Sequence, residues 1–288
     1  MITHASARPA LGLRSANPLS TFEQAVDQLE VYAPAPAVVQ RLLALLLDGQ
    51  ASWVEIESTL AVDGGLVARV LRLASTPAFA ARQVSNLRFA VQALGTDQLR
   101  RVVVTAQFAG RGSPFTRTLW AYSLRIACVC DALARHAGAS PVADPFLCGL
   151  LHDVGTMALE TFFGTSYTVA GFAPGDPSQI EIERETFGFD HCDLGAMIAA
   201  RWRLFPELEM VAQLHHDPEA AEGLGLLRST RAAIDIVALA RAVMDPTFDE
   251  LDDDDGSLCD RLDIDPGKAL ACGSEGARQA DELLTSLD

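Results

Sequence analysis

His152 and Asp153 stand side by side in Cys148-Gly149-Leu150-Leu151-His152-Asp153-Val154-Gly155-Thr156-Met157-Ala158-Leu159, an otherwise apolar run. Charge in such surroundings is costly unless it is paired or bound to a metal, so the pair reads as chemistry rather than packing. Imidazole and carboxylate are ligands for divalent transition metals. Neighbouring helical residues point about 100° apart, so the two can meet at one point only if other segments bring partners to it. The candidates are His191, in Phe189-Asp190-His191-Cys192-Asp193, and His215-His216, in Gln213-Leu214-His215-His216-Asp217-Pro218. A single histidine is more often a satisfied core or surface residue than a ligand. Several on separate helices are how a bundle builds a metal site.

The elements that must position these residues read as helices. Ser20 and Glu23 form a capping box for a helix through about Glu30; Pro34 and Pro36 set up Val38 to Leu47, which Gly49 stops. Ser52 and Glu55 open Trp53 to Ala61, and Asp63 caps Leu66 to Ala74. Ser85 caps a helix that Gly95 closes, and Thr96 starts another through Phe108. After a boundary at Arg111-Gly112-Ser113-Pro114 come a long helix from Phe115 to Ala137 and the His-Asp helix from Asp144 to Leu159. An irregular stretch then leads to a helix opening near His191, a short one ending at His215-His216, and one from Arg228 to Met244. The expected fold is all-α: a two-part helical bundle, with a flexible tail over 1–19, a helical subdomain over 20–112, a second over 113–245, and an acidic linker with a C-terminal helix over 246–288. The acidic run Asp249 to Asp255 fails as an EF-hand, because setting Gly256 at its glycine position puts Leu251 first and Leu262 last, where oxygen ligands are required.

Composition removes several functions. A formal charge of −16 repels a phosphate backbone, and no dense basic patch reverses it, so nucleic acid is not an expected partner. No signal-peptide pattern and no window of membrane-spanning length is apparent, so the protein is expected to be cytoplasmic with no membrane partner. The six cysteines, Cys128, Cys130, Cys148, Cys192, Cys259 and Cys272, contain no CxxC and read as buried free thiols.

Three blocks, Pro36 to Leu43, Val62 to Ala74 and Val84 to Gly95, resemble the first half of an HDOD domain. Leu119-Trp120-Ala121-Tyr122-Ser123, Gly149 to Gly155 and His215-His216-Asp217-Pro218 resemble its second half, and the likeness runs over about residues 25 to 245. HDOD domains are all-helical bacterial modules related to the HD-type metal-dependent phosphohydrolases and generally regarded as signalling or regulatory.

The resemblance implies a degenerate HD-type site. Where HD enzymes carry a further histidine this chain has Tyr122, and where a later helix supplies an aspartate it has Arg241. A phenol is a poor ligand at neutral pH and a guanidinium is none. The lysine that HD-GYP phosphodiesterases show after the His-Asp motif is replaced by Thr156. The remnant pocket is therefore His152, Asp153, His191, His215, His216, Tyr122 and Arg241, with no catalytic residue assigned and Arg241 expected to pair with Asp153. No cofactor is expected; a single divalent metal, if bound, would fall to Asp153, His191, His215 and His216. The resulting expectation is a non-catalytic signal-transduction module that binds a signalling protein, with a small nucleotide-like ligand as a second candidate. A metal-dependent phosphohydrolase is the alternative.

Overall fold

The computed structural model describes residues 37–48, 51–62, 64–74, 86–108, 113–138, 144–164, 167, 175–176, 178–201, 206–244 and 251–287. The tail over 1–19, the first capping box at Ser20, and the boundary at Arg111-Gly112 lie outside the described residues. Among those described the chain is all-α, without a strand. The helices are α1 (Ala37–Asp48), α2 (Trp53–Leu60), α3 (Gly64–Ala74), α4 (Leu87–Phe108), α5 (Pro114–Ala134), α6 (Pro145–Leu151), α7 (Val154–Phe163), α8 (Gln179–Phe187), α9 (His191–Arg201), α10 (Pro206–Leu214), α11 (Arg228–Met244), α12 (Asp253–Leu262) and α13 (Pro266–Leu287).

Their starts follow from caps written in the chain. Ser52 and Glu55 satisfy each other's backbone N–H groups at the head of α2. Ser113 accepts from Thr116 N at 3.1 Å and Pro114 opens α5. Asp144 accepts from Phe146 N and Leu147 N and opens α6. Gly95, at φ +72°, bends α4 into two segments, a backbone angle that glycine adopts without the Cβ penalty.

Helices α1 to α4 enclose a core that includes Leu42, Ile56, Leu60, Val70, Val91 and Leu99. Among the remaining helices, α6 and α13 pack on α5, and α10, α12 and α13 on α11, with Ile126, Leu133, Ile234 and Leu239 fully buried, while α9 packs between α7 and α10. Arg101 of α4 ties the two sets together: it bonds Asp131 of α5 at 2.6 Å and Asp144 at 3.3 Å, and lies 4.6 Å above the Phe146 ring.

Several expectations change. The helix through His152 and Asp153 is broken there: Asp153 has φ −106° and ψ 23°, so α6 ends and α7 starts across the pair. The stretch between Leu159 and His191 holds α8. The acidic run is not a linker where it is described: Asp252 accepts from Asp255 N at 2.9 Å and caps α12, while residues 246–250 lie outside the described residues. The last helix is long, starting at Pro266, because Ala269, Cys272 and Ala280 are buried and α13 packs along α5. Contrary to the expectation that no segment reaches spanning length, Pro145–Phe163 is long and apolar enough to cross a membrane by length and composition; most of it is buried inside the protein.

Candidate functional site

The break between α6 and α7 lets His152 and Asp153 face different neighbours. Asp153 occupies the cap position of α7 but makes no side-chain capping bond; its Oδ1 instead lies 3.7 Å from Nε2 of His191, the first residue of α9. The two helices approach closely because both carry glycine at the crossing. A Cβ on Gly155 would collide with the His191 carbonyl oxygen and lie 2.8 Å from the Gly195 backbone nitrogen. His215 and His216 follow the last turn of α10. Ring centroids are 5.0 Å apart for His152 and His215, 5.5 Å for His191 and His215, 5.0 Å for His191 and His216, and 4.4 Å for His215 and His216.

Three of these rings are held the same way. His152 Nδ1 donates to the Gly149 carbonyl at 2.6 Å, His215 Nδ1 to the carbonyls of Ala212 at 3.0 Å and Val211 at 3.2 Å, and His191 Nδ1 to Glu183 Oε2 at 2.7 Å. In the uncharged ring, with Nδ1 protonated, the lone pair is on Nε2, as for His152 and His215. The Nε2 atoms of His152 and His215 are buried and have no hydrogen-bond partner. Fixing one ring nitrogen so that the other is free is how metal-binding histidines are commonly oriented.

Sequence reasoning misses Glu183. It is wholly buried on α8, and its second oxygen accepts from Tyr167 OH at 2.6 Å and Gln179 Nε2 at 2.9 Å. Gln179 also reaches Thr156 Oγ1 at 3.0 Å, and Thr156 donates to Asp153 Oδ1 at 2.6 Å. Two routes of hydrogen bonds thus join Glu183 to the cluster. Ile180-Glu181-Ile182-Glu183-Arg184-Glu185 carries three glutamates without marking which is buried; only the contact of α8 with the head of α9 decides that.

The positions set apart by the resemblance also meet here. Tyr122 on α5 tilts against His152, with centroids 6.2 Å apart. Thr156 steadies Asp153 as described. Arg241 of α11 does not pair with Asp153. Its Nη1 donates to the His215 carbonyl at 2.8 Å, and its Nη2 points at Nδ1 and Nε2 of His216, 3.1 and 3.4 Å away. The unpaired carbonyls ending α10 attract a cation, and that draws the guanidinium to the helix end rather than to the carboxylate.

Burial pushes the His152 imidazole down to about 4, against the pull of Asp153. Burial also lowers His215, helped by His216 and Arg241, and His216, helped by Arg241 and His191. These three rings are neutral at pH 7 and keep a lone pair each. His191 moves upward instead: burial opposes its charge, but the contacts with Cys192 and Glu183 and the nearby Asp153 outweigh it. Burial alone would raise the Asp153 carboxyl, yet His191, His152 and the Thr156 hydroxyl hold it below the usual carboxylate range.

These residues offer ligands for one metal ion. The Nε2 atoms of His152 and His215 are orphaned donors, and ligand atoms of His191, Cys192, His215 and His216 lie within 4.8 Å of one another. The Arg241 guanidinium lies against the cluster, where its charge opposes a further cation.

Comparison with known proteins agrees with this geometry. The HDOD domain profile matches residues 33–218. An HDOD domain protein of unknown function from Geobacter sulfurreducens superimposes with a TM-score of 0.68 at 25% identity, over 94% of this chain and 98% of that one. A provisionally named phosphohydrolase from Shewanella amazonensis gives 0.67 at 23% identity over 93% and 98% of the two chains. A provisionally named signal transduction protein from Marinobacter aquaeolei gives 0.70 at 17% identity over 98% and 67%. No curated protein matches the chain. With more than half its length covered by the domain profile and the His-Asp cluster assembled as described, the chain belongs to the HDOD family.

Proposed function

We propose that this protein is a non-catalytic signal-transduction module of bacterial type, working in the cytoplasm by binding a protein partner, with a small nucleotide-like molecule as a second candidate ligand. The observation that carries the reading is the position of Arg241. Its guanidinium is hydrogen-bonded to the His215 carbonyl and the His216 ring, so one fixed cation already lies within the cluster. Hydrolysis by two metals needs a pair of ions flanking the attacking water and the leaving oxygen. Arg241 and Tyr122 are poor substitutes for the ligands of the second. One ion can still be held by the histidines. When bound it would act as a Lewis acid, while Asp153, fixed by Thr156, would balance its charge.

The name carried by the Marinobacter relative agrees with a signalling role, while the name carried by the Shewanella relative favours the alternative, a metal-dependent phosphohydrolase. The two are separated by assaying bis(p-nitrophenyl) phosphate with Mn²⁺, using protein purified without added metal and the Asp153→Ala variant as control. No turnover above the control is expected. Turnover that Asp153→Ala abolishes would overturn the reading in favour of the enzyme.

A further inference from the structure

We propose that Cys192, together with His191, His215 and His216, forms a thiolate–imidazole site for a zinc-type divalent ion, and that Arg241 competes with the ion for His216. Among the described His, Cys, Asp and Glu side chains, these four bring their ligand atoms within 4.8 Å of one another. Asp153 is not one of the four, and its Oδ1 already accepts from Thr156. The ligand set therefore differs from the one the resemblance implies, with Cys192 in place of Asp153. A thiolate with imidazoles selects zinc-like ions over Mg²⁺ or Mn²⁺, which favour oxygen ligands.

The surrounding contacts prepare the site. Glu183 fixes His191 through Nδ1, and the Val211 and Ala212 carbonyls fix His215, whose buried Nε2 has no partner. His191 Nε2 and His216 Nε2 are 3.1 Å apart. That contact is a hydrogen bond between the two rings, which an ion would replace; two nitrogens bound about 2.0–2.1 Å from a tetrahedral Zn²⁺ are separated by about 3.3 Å, so the spacing of the two rings is already close to that of bound imidazoles. Cys192 is buried beside them and would release its proton as the sulfur–metal bond forms.

Arg241 opposes this. A neutral imidazole has one lone pair in the ring plane, and the Arg241 Nη2 donor approaches the His216 nitrogens at 3.1 and 3.4 Å. The guanidinium and a metal need the same lone pair, and both are cations. Arg241 therefore sets how tightly the ion is held. The inference is independent of whether the domain signals through a partner.

The test is titration of chelator-treated full-length protein with Co²⁺, followed by displacement with Zn²⁺. The expected result is one equivalent of Co²⁺ in a tetrahedral spectrum that includes a thiolate-to-cobalt charge-transfer band. Cys192→Ser should remove the band; should that variant not fold, the wild-type spectrum still decides. Glu183→Gln should weaken binding by about 10- to 100-fold. Arg241→Gln should tighten it by about tenfold or more, and binding seen only in Arg241→Gln equally supports the competition. Absence of Co²⁺ binding in both wild type and Arg241→Gln, or binding without the charge-transfer band, would overturn the site. Unchanged or weaker binding in Arg241→Gln would overturn the role of Arg241.

Discussion

Glu183 Oε2 accepts twice from His191, from the backbone N at 2.8 Å and from ring Nδ1 at 2.7 Å. One carboxylate oxygen thereby caps the head of α9 and orients the first imidazole of the cluster. Its other oxygen serves Tyr167 and Gln179.

Removing that carboxylate leaves several buried donors unmatched. Glu183→Ala is expected to cost about 3 kcal/mol or more of folding stability, since breaking a buried charged network exposes every partner to its desolvation penalty. Glu183→Gln keeps one acceptor oxygen and should cost less. Urea unfolding followed by circular dichroism measures both, and equal losses for the two variants would show that hydrogen bonding to His191 is not what Glu183 contributes.

Gly155→Ala tests the crossing of α7 and α9. The added Cβ meets backbone, the His191 carbonyl oxygen, so the helices must separate. A loss of about 3 kcal/mol is expected, at the upper end for overpacking. Gly256→Ala is the contrast: nothing lies within 4 Å of its Cβ, and replacing a helical glycine should gain up to about 1 kcal/mol. A thermal melt that moves the same way for both would contradict the crossing geometry.

Arg241→Ala is expected to lower the melting temperature. The variant strips the His215 carbonyl of a charged donor bond, a contribution of about 1.5–3 kcal/mol. An unchanged melting temperature would mean that water replaces the guanidinium without loss.

The thiols predict an alkaline limit. Burial pushes Cys128 up to about 12, with Asp131 adding to the effect. An unfolded thiol ionises near 8.5–9 and a folded Cys128 does not, so the unfolded chain loses its proton first. Stability is complete below about pH 8.5 and declines as pH rises toward 12. The native protein should therefore resist a thiol reagent through pH 9, and its six cysteines should react together in denaturant. Fast labelling of Cys128 in the native protein at pH 8 would contradict its burial.

Much of the architecture is legible in the order of residues alone. Ser52 with Glu55, and Ser113 with Pro114, mark helix starts because capping depends on residues three or four apart. The bounds of Arg228 to Met244 follow from the same local pattern, and the helix has those ends. His152, Asp153, His191, His215 and His216 stand out because polar groups in apolar helical runs need partners, whereas Tyr122 and Arg241 stand out only through the resemblance to the HD-type site. Four of the six thiols lie in apolar, helical-looking runs and all six read as buried, which they are.

The expectations that fail depend on contacts between distant segments. Arg241, expected on Asp153, bonds His215 and His216 instead, because its target is set by where α10 ends. The acidic run has the composition of a solvated linker, yet Asp252 uses its charge to cap a helix whose other face, Leu258, Cys259 and Leu262, is buried. Of the three histidines, Cys192 has only His191 beside it in the sequence until α9 and α10 bring His215 and His216 to it. The sequence by itself determined an all-helical chain, its local caps and the residue types able to hold a cation, all matters of short-range spacing. Only the tertiary structure decided which of those residues face one another and that Glu183 stands behind His191, because burial and hydrogen-bond pairing across helices are properties of the packing and not of any one segment.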